Sequence, residues 1–434
     1  MENITVKFGG SSLADAGQFR KVAEIILADP LRRFVVVSAP GRRFKEDVKV
    51  TDLLYQAHEA VGTPAFAGII AQIQERYDEI AQELGLSVEL DIPQIAEAIV
   101  NGASADYCAS RGEYLNARLM AAYLERPFLD AADYVFFRED GSFDARRTND
   151  AMREALENLD GAVIPGFYGS NPDGSIRTFS RGGSDITGAI VARAAGSVCY
   201  ENWTDVSGIL VVDPRIVPDA KPIEKITYRE LRELAYMGAS VLHEDAIFPV
   251  RKAGIPIRIR NTNHADATGT MILKDAADVE APPVTGIAGK KDFSIIRIEK
   301  AQMNETSGFI QRVMVPFHRR GLSIEHMPTG IDTISVVLPT AQLRDCRAEL
   351  LADIRDEVDP DMILVENDLA MIAVVGRGMV RRKGMAAKVF TALAQADVNI
   401  RMIDQGSDEL NIIVGVDSDD YLCAIKALYH AFYA

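Results

Sequence analysis

Apolar and polar positions over the first 280 residues or so alternate between two periods. Ile4-Thr5-Val6, Phe34-Val35-Val36-Val37, Ala162-Val163-Ile164-Pro165-Gly166-Phe167, Cys199-Tyr200 and Ile255 to Ile259 read as short strands, with Phe34 to Val37 interior to a parallel sheet. Helical spacing predicts helices near 15–27, 64–84, 93–100, 149–158, 186–195 and 228–236. Another is predicted to begin near the glycine of Ser110-Arg111-Gly112-Glu113. It turns Leu115, Leu119 and Ala122 inward and leaves Glu113 as a first-turn acid.

Beyond Ala281-Pro282-Pro283 the pattern becomes compact α+β. Strands at 293–299, 322–327, 332–338 and 362–365, with helices at 308–320 and 341–353, make a βαββαβ, ferredoxin-like unit. A second copy follows: strand 369–375, helix 384–396, strands 398–404 and 409–416, helix 418–432. It lacks a fourth strand, and the run Val284-Thr285-Gly286-Ile287-Ala288 is placed to supply it. The expected divisions are therefore 1–283, then 293–366, then 284–290 joined with 367–434, the last two as separate small sheets with the first copy inserted in the second.

Composition narrows the function. The chain has 434 residues, 48% of them hydrophobic, enough for large cores. Its 47 basic against 63 acidic residues, a formal charge of −16, argue against a broad nucleic-acid or anionic-membrane surface but leave room for a local anion pocket. No apolar run reaches the length of a membrane span, and Met1-Glu2-Asn3 does not open a targeting segment. Cys108, Cys199, Cys346 and Cys423 have no paired spacing, and the six histidines form no metal-ligand pattern, so no protein metal site is expected. A cytoplasmic protein is the expectation.

Chemistry concentrates at two glycine turns. Lys7-Phe8-Gly9-Gly10-Ser11-Ser12 joins a strand to a helix, so free N–H groups at the helix start can face a phosphate. Alone, it reads equally as an ordinary turn beside a solvated lysine, because a P-loop carries its lysine after the glycines. Ser180-Arg181-Gly182-Gly183-Ser184-Asp185 repeats the device ahead of an apolar helix. Arg42 to Lys49 is read either as a solvated surface loop or as a flap near phosphate. His243, after Gly238-Ala239-Ser240-Val241-Leu242, reads as a helix-end packing residue.

Taken together and in order, these strings resemble the aspartate kinases, of the amino-acid-kinase fold with two C-terminal ACT domains, over essentially the whole chain. The resemblance is carried by the two glycine turns, Ser110-Arg111-Gly112-Glu113, Arg147-Thr148-Asn149-Asp150, Trp203-Thr204-Asp205-Val206-Ser207-Gly208 and Asp213-Pro214-Arg215. Further along it is carried by Gly238 to His243, Gly384-Met385-Ala386-Ala387-Lys388-Val389-Phe390 and Asn399 to Ser407. It departs at the long basic loop 41–50 and at His243-Glu244, where the family commonly has histidine then proline.

The resemblance implies a three-layer sandwich around a mainly parallel sheet. It also implies transfer of the ATP γ-phosphoryl group to the L-aspartate side chain as the first step toward lysine, threonine and methionine. It assigns Lys7 to the transferring group, with Gly9, Gly10 and Ser11 on the phosphates and Asp185 orienting lysine and substrate. Arg181, Gly182, Gly183 and Ser184 would meet the substrate carboxylates, with Ser38, Ala39 and Thr51 on the acceptor side and Glu113 at the ammonium. Thr204, Asp205, Gly208, Asp213, Arg215 and Lys221 match the nucleotide segments, and Mg²⁺ is expected to arrive with ATP. Met303, Thr306, Gly308, Phe309, Ser323, Glu325 and Thr329 lie on the effector stretch. Lysine is favoured there because Glu325 suits a cationic amino acid, while Gly330 replaces a frequent hydroxyl, with threonine control or no feedback control as the alternatives. A homodimer or larger homo-oligomer through the ACT regions is expected. The rivals are a kinase of glutamate or acylated glutamate, and an amino-acid sensor with a dead kinase domain.

Overall fold

The computed structural model describes residues 2–180, 182–239, 244–275 and 281–433. The chain divides into two compact units. The first holds residues 1–209, 222–228 and 240–276; the second holds 210–221, 229–239 and 277–434.

The first unit is built on a seven-stranded sheet. Its strands are β1 (Ile4–Phe8), β2 (Arg32–Val37), β3 (Ala162–Pro165), β6 (Cys199–Thr204), β7 (Lys225–Thr227), β8 (Ile257–Asn261) and β9 (Thr270–Leu273), in the order β3-β2-β1-β6-β8-β9-β7. A separate hairpin pairs β4 (Tyr168–Ser170) with β5 (Ile176–Thr178). Every pairing in the sheet is parallel except β8 with β9. Alternation along β2 shows why three layers form. Val35 and Val37 pack with Phe19, Val22, Ile26, Leu54 and Tyr77, while Phe34 and Val36 pack with Met152, Ile186 and Ile190. From β1 the chain first adds β2 and β3 on one side, then β6 and β8 on the other. The carboxyl ends of β1 and β6 therefore border the topological switch point, where open α/β sheets bind ligands.

The second unit corrects the expectation of two separate small sheets. One five-stranded antiparallel sheet runs β11-β10-β12-β14-β13, with β10 (Gly286–Glu299), β11 (Thr333–Pro339), β12 (Met362–Val375), β13 (Ile400–Asp404) and β14 (Asn411–Asp417). The two long strands belong to both repeats. Gly286–Lys290 pairs with Met371–Val375, whereas Ile295–Glu299 pairs with Met362–Glu366, and register shifts mark the join. Asp292 and Asp368, both at positive φ, turn the backbone there. The expected strand 322–327 is also not continuous. Only isolated bridges tie His326 to Val337 and Thr329 to Ile334, and Pro328 lies between them without an N–H to give.

Helix Tyr228–Tyr236 follows β7 directly, and from Arg229 onward it belongs to the second unit. Glu230 is fully buried and accepts from the Arg377 guanidinium and the Thr285 hydroxyl at 2.9 and 2.6 Å; Glu233 accepts from Asn411 at 2.7 Å. Removing one partner of a buried pair leaves the other charge uncompensated, so Glu230→Ala should cost about 3–5 kcal/mol. The exposed Asp213–Arg215 pair gives the control: Asp213→Ala should leave the denaturant midpoint of the second unit in place while Glu230→Ala lowers it.

Candidate active site

Two loops meet at the switch point. Gly9 N–H donates to Trp203 O at 3.0 Å, and Gly41 N–H donates to Gly10 O at 2.8 Å. A Cβ on Gly10 would lie 2.8 Å from Ala39 O, and one on Gly41 would lie 2.6 Å from the Gly10 carbonyl carbon, so neither position admits a side chain. The basic loop beyond is tied down. The buried Arg76 guanidinium donates to Gly41 O at 3.0 Å and Asp47 at 2.7 Å, and Arg43 pairs with Asp47 and Glu79. Thr51 stands half-buried near the start of helix Val50–Glu59.

Lys7 is only 7% exposed, and its Nζ lies 2.5 Å from Asp185 Oδ1. Asp185 sits in the first turn of helix Gly183–Ala194, which Gly182 opens at φ +57°. A Cβ on Gly183 would fall 2.5 Å from the Phe167 ring, which is how the turn after β3 and the second glycine turn come together. Ser184 is buried beside Gly166, where a Cβ on the glycine would meet it at 2.6 Å. Arg181, assigned to the substrate carboxylates, lies outside the described residues, as does His243.

Glu113 is corrected in place and in character. Its helix runs Ala105–Leu124 and is capped by Ser104, whose hydroxyl accepts from Tyr107 N–H, so Glu113 stands in mid-helix and is no first-turn acid. It is 5% exposed. Burial pushes its carboxyl up to about 8, against the opposing pull of the Ala39 N–H hydrogen bond and the Lys7 and Arg111 charges. Its Oε2 has no partner among the described residues, nor has Oδ1 of the fully buried Asn116 one turn on, whose amide donates to Ser38 O at 2.7 Å. The Glu113 carboxyl thus keeps an open oxygen at a buried position within reach of the Lys7 charge.

On the far side of β6, the Thr204 hydroxyl lies 3.1 Å from Asp205 Oδ1, Asn261 donates to Asp205 O, and Gly208 turns at φ +117°. Ser11 is exposed after the first turn. Asp213, Arg215 and Lys221 belong to the second unit: Arg215 pairs with Asp213 at 2.5 Å, and Lys221 donates to Tyr433 O.

In the expected effector stretch, Met303 and Phe309 are core residues, packed with Val313 and Phe317. Thr306 donates to Gln302 O, Gly308 caps helix Phe309–Arg319 at φ +75°, and Ser323 N–H donates to Gln342. Thr329 bridges to Ile334. Glu325 N–H donates to Val337 O, and its carboxylate takes the Tyr236 hydroxyl; burial and this partner raise that phenol to about 12.

The structure therefore gathers Lys7, Gly9, Gly10, Ala39, Glu113 and Asp185 at one end of the sheet. It adds Asn202, Gly41 and Asn116, which sequence reasoning did not single out. A cavity of about 440 Å³ lined by Asn3, Arg33, Phe34 and Arg193 opens instead near the amino ends of β1 and β2, away from this chemistry. Among the described residues, no three His, Cys, Asp or Glu side chains converge as a metal cage, and no helix is long and apolar enough to cross a membrane.

Two glycine turns meet beside the Lys7–Asp185 pair at the switch point of an α/β sheet, and comparison with known proteins gives this arrangement its class. Residues 4–261 match the amino acid kinase family and residues 372–432 match an ACT domain. Aspartokinase 3 of Bacillus subtilis is 40% identical over 449 aligned residues, covering 99% of this chain and 98% of that protein. The chain belongs to the aspartokinase family. The crystal structure of Clostridium acetobutylicum aspartate kinase is 48% identical, covers 99% of this chain and 100% of its own, and superposes with a TM-score of 0.93. E. coli aspartokinase III, 25% identical over the full length of both chains, superposes at 0.75 in its complex with aspartate and ADP and at 0.74 with lysine and aspartate.

The Glu113 environment makes a stability prediction. A carboxyl raised from its ordinary 4.5 to about 8 stabilises the fold fully below 4.5, and that contribution is lost as pH rises through 8. The loss is up to about 1.4 kcal/mol per pH unit within the window. Glu113→Gln should therefore gain on wild type in urea unfolding as pH is raised from about 5 to about 8. A constant difference across that range would mean that the carboxyl titrates normally.

Proposed function

We propose that this aspartokinase transfers the γ-phosphoryl group of ATP to the side-chain carboxylate of L-aspartate. The product is 4-phospho-L-aspartate, the first step toward lysine, threonine, methionine and diaminopimelate. The observation that carries this reading is Glu113: a buried acid with an open oxygen, close enough to Lys7 for their charges to interact, gives an ammonium receptor next to a phosphoryl-directed cation. The acceptor carboxylate is already an anion at neutral pH, so the reaction needs no general base. It needs two anions brought into line and their charge neutralised. Lys7 serves the transferring group, and the backbone of Gly9, Gly10 and Ser11 holds phosphates. Gly183, Ser184 and Arg181 take the substrate carboxylates, with Ser38, Ala39 and Thr51 on the acceptor side. Thr204, Asp205 and Gly208 serve the nucleotide, and Mg²⁺ enters with its phosphates. Binding of the substrate ammonium draws the proton from Glu113, so aspartate binding releases protons near neutral pH.

An ATP-dependent hydroxamate assay across aspartate, glutamate and N-acetylglutamate should give turnover with aspartate alone. Lys7→Ala should lower kcat by roughly a hundredfold or more with the fold intact. Turnover of glutamate in place of aspartate would overturn the substrate, and a near-normal kcat in folded Lys7→Ala would overturn the phosphoryl site.

We further infer that the second unit carries two ACT repeats, 293–366 and 284–290 with 367–434, that it pairs in a homodimer or larger assembly, and that lysine is its effector. The sharing of β10 and β12 between the repeats supports the division, and the lysine-bound E. coli relative supports the ligand. Glu325 offers the carboxylate for a cationic side chain. Free thiols throughout fit a reducing, cytoplasmic setting. Lysine inhibits only by favouring a less active arrangement, since equal affinity for both shifts nothing. Millimolar lysine should inhibit the wild type and inhibit Glu325→Ala much less, with light scattering giving at least a dimer. Unchanged inhibition in Glu325→Ala would overturn the site, and an active monomer would overturn the assembly.

A further inference from the structure

Strand β6 directs alternate side chains to opposite faces. Glu201 and Trp203 lie on one face, where Arg32 and Arg260 pair with Glu201 and stack on the indole at 5.3 and 4.4 Å. Tyr200 and Asn202 lie on the other, toward helix Gly183–Ala194. There the Tyr200 hydroxyl donates to Asp185 O at 3.2 Å, and the Asn202 amide Nδ2 donates to Asp185 Oδ1 at 3.0 Å. Asn202 is 4% exposed and sits in register with Lys7 on the adjoining β1, so both residues reach the same carboxylate oxygen from neighbouring strands. An ionised carboxylate only accepts, which fixes the NH₂ end of Asn202 as the group facing it.

We propose that Asn202 is a positioning residue for phosphoryl transfer: its amide holds the Asp185 carboxylate in a fixed direction, so that Lys7 is aimed at the transferring group rather than drawn into a closer pair with Asp185. A neutral donor suits this task. It occupies part of Oδ1 without adding charge, and it keeps hold of Asp185 when Lys7 turns toward a phosphate oxygen. Tyr200 fixes the main chain of Asp185 and Asn202 fixes its side chain, so a single buried strand orients the acid by two points. Without the amide the carboxylate can rotate to present both oxygens to Lys7. The ion pair then tightens, and the lysine loses part of its attraction for the incoming phosphoryl group. The loss falls on a charge interaction that matters most in the transition state, so it appears in kcat more than in binding.

The proposal rests on the assignment of Lys7 and Asp185 to the phosphoryl group, and the test separates the two by including Lys7→Ala. ATP-dependent turnover of aspartate is measured for wild type, Asn202→Leu, Asn202→Asp and Lys7→Ala, with thermal melting of each. Asn202→Leu should lose about tenfold or more in kcat with both KM values within about twofold. Asn202→Asp, which matches asparagine in size, places a second carboxylate against Asp185, and two such groups share a proton. Its kcat should therefore recover toward acidic pH, over an interval where the wild-type profile is flat or falling. Once protonated, the introduced carboxyl can donate to Asp185 as the amide does, so a recovery of kcat marks the donor; purely structural support gives the new ionisation without that recovery. A folded Asn202→Leu enzyme with wild-type kcat overturns the proposal, as does an Asn202→Asp profile that parallels the wild type. Should Asn202→Leu fail to fold, the Asn202→Asp profile alone decides. If Lys7→Ala keeps its kcat, the phosphoryl assignment falls and the positioning role falls with it.

Discussion

The contact between Lys7 and Asp185 is a unit charge facing its opposite at 2.5 Å, the lysine buried and the carboxylate partly open. Asp185 holds the more exposed end of the pair and keeps the Asn202 amide as a donor when Lys7 is removed, so the fold tolerates the loss of the lysine. The surrounding fold is arranged to make the pair affordable. β1 and β6 lie side by side in parallel register, so Lys7 and Asn202 stand level, and the helix that begins at Gly183 delivers Asp185 to both. Behind them Glu201 is compensated by two arginines and the Trp203 N–H, which gives β6 a rigid, neutralised rear face. Burial pushes the Glu113 carboxyl up to about 8, which limits the negative charge at this end of the sheet near neutral pH.

A residue is legible in the sequence according to the kind of pattern it belongs to. The glycine turns were legible because close approach of two backbones demands glycine, as at Gly10 against Ala39 and Gly41. Glu113 was found as a residue but misplaced in its helix. From Cys108 to Met120 that helix buries residues on nearly all sides, so there is no polar face to give a helical period its contrast, and the Ser104 cap was the better marker of its start. Asn202 left no signal: a polar residue inside a strand carries no period of its own, and its partner Asp185 lies 17 positions away. The long strands β10 and β12 were each read as two runs. Lys290-Lys291-Asp292 and Glu366-Asn367-Asp368 interrupt their apolar patterns at the bends.

Joining the repeats into one sheet has a mechanical consequence. The ladder from β11 through β10 and β12 to β14 and β13 is continuous, so the edge that carries Glu325 and the edge that ends at Asp404 are rows of one hydrogen-bonded body. The His326–Asp404 contact at 2.5 Å ties those two edges together a second time, outside the ladder. The ladder is interrupted only at the join, where Lys291-Asp292 and Asn367-Asp368 are unpaired and both strands bend.

Helix Tyr228–Tyr236 is held to both repeats. Arg229 pairs with Asp408, Glu230 with Arg377 and Thr285, Glu233 with Asn411, and Tyr236 with Glu325, so one short helix is fastened to both repeats at successive turns. The chain reaches this helix directly from β7, an edge strand of the first unit's sheet. A cationic ligand at Glu325 would compete with the Tyr236 hydroxyl for the same carboxylate, and Tyr236 is the last residue of the helix. Coupling requires only that the ligand prefer the arrangement in which Tyr236 has let go, and its size is bounded by that preference. The buried Glu230–Arg377 pair fixes the other end of the helix, so the two ends are held by independent contacts.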